Sequence, residues 1–233
     1  MKNAFTMLEL VFVIVVVGIL SYFVSTGFQR NSLREAADQV VSHIRYTQHL
    51  AMMDDKFSAT DSNWFLGRWQ IRFSTANGYQ SYFIMADTIL SSYDANPNAP
   101  ANFSYSEVAK DPLNSNKYLI GTTYSSFDTG SNEHINSKLN FTSSYGINDI
   151  SMSGGSTGST ASRIVFDELG RPYRGDTKLS NAGHISSSVD KVNISTVHIK
   201  LCLASCTLPN NTANNKGEIV IVIEPETGYT HIQ

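Results

Sequence analysis

Between Phe5 and Gln29 the chain carries a single charged side chain, Glu9, inside a run that is otherwise apolar or weakly polar. At about 1.5 Å of rise per helical residue, a run of this length matches a bilayer core of about 30 Å. The run is rich in β-branched residues, yet a segment surrounded by lipid must satisfy its own backbone and so becomes helical. A carboxylate in such a segment costs about 2.5–3.5 kcal/mol on insertion scales, which makes Glu9 a candidate functional residue. The expectation is a transmembrane helix over residues 5–29.

Three kinds of segment compete for this pattern. An ordinary secretory signal places a small-residue cleavage site after its apolar stretch, and Ser21-Tyr22-Phe23 is a poor one. A plain signal anchor gives no reason for an acid inside the apolar run. The third accounts for the acid: Ala4-Phe5-Thr6-Met7-Leu8-Glu9-Leu10, followed by an unbroken apolar stretch, resembles the class III signal of type IV pilins and pseudopilins. In that family prepilin peptidase cuts before the Phe and methylates the new amine. The resemblance therefore implies a leader of residues 1–4, processing between Ala4 and Phe5, and an assembly role for Glu9. The family usually has Gly where this chain has Ala4.

The chemistry of that motif is charge pairing. A cut before Phe5 leaves a cationic amine, and Glu9 lies four residues on. The Glu9 carboxylate of one subunit can neutralise the Phe5 amine of a neighbour, so two groups that are each costly in an apolar medium become less so together. A solitary subunit would instead let Glu9 reach toward the headgroups.

From residue 30 the sequence turns amphipathic. Leu33, Ala36, Ala37, Val40, Val41, Ile44, Gln48 and Ala51 recur at helical spacing, while Arg34, Glu35, Asp38, Arg45 and His49 fill other faces. This predicts an amphipathic continuation over 30–55 that lies against a sheet. The first proline is Pro97, so one helix of about 75 Å is expected over residues 5–54. Gly27 is its candidate weak point, since glycine costs about 1 kcal/mol in a helix interior. His43 and His49 share no helix face well and read as groove or surface residues.

Beyond Lys56 the period changes to two. Trp69, Ile71 and Phe73 alternate with Gln70 and Arg72, a turn follows at Ala76-Asn77-Gly78, and Tyr79 to Met85 reads as the returning strand. Residues 87–116 read as loop, 117–124 and 135–142 as short strands, and 151–162 as a Gly/Ser-rich loop. Val192–Leu203 and Gly217–Glu224 are the strongest strands. Cys202 and Cys206 fall where the first of them ends. They either close a small disulfide loop in an oxidising compartment or stay two reduced thiols. The segments Arg163–Pro172 and Ile221–Tyr229 each carry a strand into a glycine turn, and resemble H-type minor pseudopilins and FimT-like pilins.

The charge is −3 with 17 scattered basic residues, which lacks the footprint of a dedicated nucleic-acid binder. No Lys or Arg follows Lys216, which argues against nucleic-acid binding through the C-terminal tail. No nucleophile elbow, phosphate loop, dinucleotide fingerprint or zinc-protease pattern occurs, and no His cluster flanks the cysteines. The expectation is a protein that is not an enzyme, with no cofactor and no metal.

The fold expected is α+β: a long N-terminal α-helix, membrane-spanning in its first half, packed on an antiparallel β-sheet, with residues 56–233 as an extracytoplasmic β-rich domain. The resemblance implies a structural, minor subunit of a type II secretion pseudopilus or type IV pilus. Its partners would be other pilin or pseudopilin subunits, prepilin peptidase, the inner-membrane assembly platform and the lipid bilayer. Its place would be the bacterial inner membrane, single-pass, with the C-terminal domain in the periplasm or on a filament. Alternatives are a pilin-like component of a DNA-uptake or adhesive filament, and a membrane-anchored periplasmic binding protein that never polymerises.

Overall fold

The computed structural model describes residues 6–27, 31–61, 64–76, 78–87, 105–124, 133–155, 162–174, 193, 195–207, 209–214 and 217–233. The chain divides into two compact units, Met1–Ser32 and Leu33–Gln233. The expectations for the leader 1–4, for Phe5 and for most of the 87–116 loop fall outside the described residues.

In the first unit, helix α1 spans Met7–Gly27 and has no polar face. From Met7 to Tyr22 every described side chain is exposed.

The second unit is built on helix α2, Ser32–Met53. Asn31 stands immediately before its first helical residue, the position where an amide side chain favours a helix start. The stripe Ala36, Ala37, Val40, Val41, Ile44, Thr47 and Ala51 is buried, while Arg34, Asp38, Ser42, Arg45 and His49 are exposed. Burying a side chain such as that of Ile44 is worth about 1.5–3 kcal/mol. The small residues of the stripe let the helix approach the sheets closely.

Strands β1 (Trp69–Ala76) and β2 (Tyr79–Ala86) form an antiparallel hairpin, and β1 also pairs with β6 (Arg163–Phe166), which pairs with β7 (Pro172–Tyr173). A second four-stranded sheet runs in the order β10-β9-β8-β5. Its strands are β5 (Asp149–Gly154), β8 (Val197–Cys202), β9 (Glu218–Ile223) and β10 (Thr230–Ile232). A ribbon of β3 (Lys110–Asp111) and β4 (Asn114–Tyr118) stands beside them, and a short helix α3 covers Phe141–Tyr145. One core joins the α2 stripe to Ile71, Tyr82, Ile84 and Phe166 of the first sheet and to Ile199, Leu201, Ile221 and Ile223 of the second.

This corrects the expected architecture. Instead of one long N-terminal helix on one sheet, α1 ends at Gly27, a second helix begins at Ser32, and the strands divide between two sheets and a ribbon. Glycine is the poorest non-proline residue for continuing a helix, and Asn31, at the cap position of α2, favours a new start. The expected single-pass anchorage in the bacterial inner membrane is likewise not supported. Among the described residues no helix is long and apolar enough to cross a membrane.

Two local expectations also change. Residues 149–154, read in part as a Gly/Ser loop, form β5 against β8. Residues 137–145, read in part as a strand, form a 3-10 turn at Ser137–Leu139 and then α3. Asn140 caps α3 through Ser143 N–H, and Gly146, at φ 72°, ends it. An amide cap before the helix and a left-handed residue after it outweigh the β-propensity of Phe141, Thr142 and Tyr145.

Candidate assembly site

Glu9 sits in the first turn of α1 and closes that turn on itself. Its Oε2 accepts from the Thr6 backbone N–H at 2.9 Å and from Thr6 Oγ1 at 2.9 Å, and the Glu9 N–H donates back to Thr6 Oγ1 at 3.3 Å. This reciprocal pairing is a capping box, which satisfies backbone donors that the helix start leaves without partners. Both Thr6 bonds fall on Oε2, so Oε1 remains for another donor. The carboxylate thus has a local task that does not use up its charge.

From Leu10 to Leu20 α1 is apolar all round, and every one of these residues is exposed. Met7 is 86% exposed and Phe12 69%. The open surface along Met7–Val15 is the flank of this helix rather than a cavity. A helix apolar all round is stable only when something apolar covers it.

The second unit is held to its own C-terminal strands by polar bonds from α2. Gln48 Nε2 donates to the Gly170 carbonyl at 2.8 Å and to the Thr227 carbonyl at 2.9 Å, so one amide ties together the β6–β7 and β9–β10 turns. Arg45 Nη2 donates to the Thr230 carbonyl at 2.7 Å. Buried Asp167 shapes the first turn by accepting from Leu169 N–H, Arg171 N–H, Arg171 Nε and Tyr173 OH. Arg171 pairs with Asp167 at 2.7 Å, while Glu168 pairs with buried Arg68 at 2.9 Å.

Cys202 and Cys206 form a disulfide with Cα atoms 5.4 Å apart, at the exit of β8. Beside it Lys200 and Glu218 form an almost fully buried ion pair at 3.1 Å. Glu218 also accepts from Asn214 N–H at 3.0 Å and from Thr207 N–H and Oγ1 at 2.8 Å each. Those backbone donors, led by Asn214 and Thr207, hold its carboxyl down to about 2. Lys200 Nζ adds a bond to the Thr207 carbonyl at 2.6 Å. The β8–β9 loop is therefore anchored by one covalent and several charged contacts.

Of the residues singled out in the sequence, Glu9 lies in the first unit, the cysteines lie in the second, and Ala4 and Phe5 lie outside the described residues. His43 is half-buried beside α2 and His49 is exposed. The capping partner Thr6 and the clamp Gln48 were not anticipated. Thr6 had a readable signal, the Thr-x-x-Glu spacing before an apolar run; Gln48 had none beyond its place on the buried stripe. Among the described residues no group of three His, Cys, Asp or Glu side chains could hold a metal. Comparison with known protein families, characterised proteins and solved structures finds no match.

Proposed function

We propose that this chain is a structural subunit of a type IV pilin-like filament, in which α1 is covered by the α1 helices of other copies. The observation that carries the reading is the uncovered, all-round apolar surface of α1 from Met7 to Tyr22. The Ala4-Phe5-Thr6…Glu9 motif at its start supports it. So does the Cys202–Cys206 disulfide, which belongs to an oxidising compartment.

Assembly follows from two properties of the helix. Apolar burial drives α1 against its neighbours at about 25 cal/mol per Å2. Removal of residues 1–4 frees an amine on Phe5, and Glu9 Oε1 of an adjacent copy accepts it while Oε2 keeps the Thr6 cap. The pairing favours one axial stagger between copies, because any other leaves two charges unpaired in an apolar surrounding. The glycine turns at 167–171 and 224–228 favour the minor, H-type or FimT-like branch of this family.

N-terminal sequencing and intact mass of the protein from its native cells test the reading. A chain that begins at N-methylated Phe5 is expected. A mature chain that still begins at Met1 would remove the amine on which the pairing depends.

A further inference from the structure

An open cleft of about 440 Å3 lies between α2, the β3–β4 ribbon and residues 135–138. Its size falls in the range of small-ligand sites, and the filament reading gives it no task.

The protons on its wall are fixed by a chain of hydrogen bonds. Tyr145 OH donates to Gln39 Oε1 at 2.6 Å, which sets the amide orientation. Gln39 Nε2 then donates to Tyr82 OH at 2.7 Å and to the Lys138 carbonyl at 2.9 Å. The Tyr82 oxygen is thereby an acceptor from Gln39, and its own proton goes to His43 Nδ1, 2.7 Å away. An imidazole that accepts at Nδ1 carries its proton on Nε2. Burial lowers His43 to about 4, so the ring, which lines the cleft, is neutral near pH 7 and carries one uncharged donor.

The opposite wall offers a fixed acceptor. Asp111 is nine-tenths buried. Its Oδ1 accepts from Leu113 N–H at 2.8 Å and its Oδ2 from Asn136 Nδ2 at 2.7 Å. Each carboxylate oxygen has two acceptor sites, so capacity remains on both. Lys117 and Lys138 also line the cleft, and Lys117 Nζ donates to the Glu133 carbonyl at 2.6 Å. Leu113, 94% exposed at the ribbon turn, supplies an apolar edge.

This wall discriminates among ligand classes. An anion would meet the Asp111 carboxylate, and a cation would meet two lysines. A neutral compound whose groups both donate and accept satisfies His43, Asp111 and the lysines together, with its C–H face against Leu113. We propose that this cleft binds a neutral saccharide. The site belongs wholly to the Leu33–Gln233 unit and does not rest on the filament reading.

The test is saturation-transfer NMR on the full-length chain in detergent. The probes are methyl glucoside, methyl galactoside and N-acetylglucosamine, with sialic acid and glucose 6-phosphate as anionic counterparts. Binding of at least one neutral probe at roughly millimolar Kd is expected. Ser42→Trp, at an exposed α2 position lining the cleft and outside the hydrogen-bond chain, should abolish it at unchanged circular dichroism. Leu113→Ser should weaken it several-fold. No binding by any neutral probe, unchanged binding in Ser42→Trp, or preference for the anionic probes would each overturn the proposal.

Discussion

The side-chain amide of Gln48 occupies the space above Gly228: a Cβ built there would lie 2.7 Å from Gln48 Nε2 and 2.9 Å from the Gly170 carbonyl oxygen. The same amide bonds both turns, so helix and C-terminal strands fit only while residue 228 lacks a side chain. Gly228 also has φ +66°, in the left-handed region that costs other residues. Gly228→Ala should destabilise the fold by about 1–3 kcal/mol. Gln48→Ala, which strips two carbonyls of a donor, should cost a similar amount. Thermal unfolding should show either change as a fall of roughly 2–10 °C in Tm; an unaltered Tm in both variants would remove the clamp from the account.

Stability should fall in acid in two stages. His43 titrates at about 4 in the folded chain against 6.5 ordinarily, because burial disfavours its charged form. Between those values the unfolded chain binds a proton that the folded one does not, so stability rises with pH across the window and is lost as pH falls through it. The contribution is about 3 kcal/mol at most. Denaturant unfolding at pH 7 and pH 5 should show the loss, and His43→Gln should flatten it.

The second stage belongs to Glu218. Its folded value of about 2 lies below the usual 4.5 because Asn214 and Thr207 donate to the ionised form. Its stabilisation is therefore present above 4.5 and lost as pH falls toward 2. Glu218→Gln should remove this step while leaving the His43 step intact, as followed by tryptophan fluorescence in an acid titration.

The Cys202–Cys206 bridge closes a short loop, for which chain entropy gives about 2 kcal/mol. Reduction should lower Tm by several degrees without unfolding the protein at room temperature. Intact mass after alkylation with and without reductant would verify the pairing; full alkylation without reductant would contradict it.

What the sequence made legible was whatever rests on strong periodicity. The stripe from Ala36 to Ala51 appears buried on α2 as its 3.6-residue spacing implies, and Trp69–Ala86 folds back as a hairpin. The all-β-branched Ile219–Ile223 lies inside a sheet between β8 and β10. Weaker patterns misled. Strand β5, Asp149-Ile-Ser-Met-Ser-Gly154, has little apolar content and owes its place to six paired positions on β8. Helix α3 looks like a strand residue by residue and is decided by Asn140 and Gly146. The separation of α1 from α2 is marked only by Gly27 and by Asn31 at the cap position of α2. At the candidate site Glu9 stood out by its charge, whereas its partnership with Thr6 depends on geometry at the helix start.

The cap that Glu9 makes with Thr6 and the assembly role proposed for it can be separated by substitution. Glu9→Gln keeps an amide oxygen for the Thr6 cap and loses the charge; Glu9→Ala loses both, at about 0.5–2 kcal/mol of local helix stability. If pairing with the Phe5 amine drives assembly, the two variants should fail alike. If capping is the whole contribution, Glu9→Gln should behave as wild type.

The most direct measurement is the amount of this chain in sheared, purified filaments from cells carrying wild type or Glu9→Gln, against its total cellular amount. The account predicts wild-type chain in the filament fraction, and Glu9→Gln at normal cellular level but absent from filaments. Wild-type chain missing from every filament fraction, or Glu9→Gln incorporated as well as wild type, would contradict it.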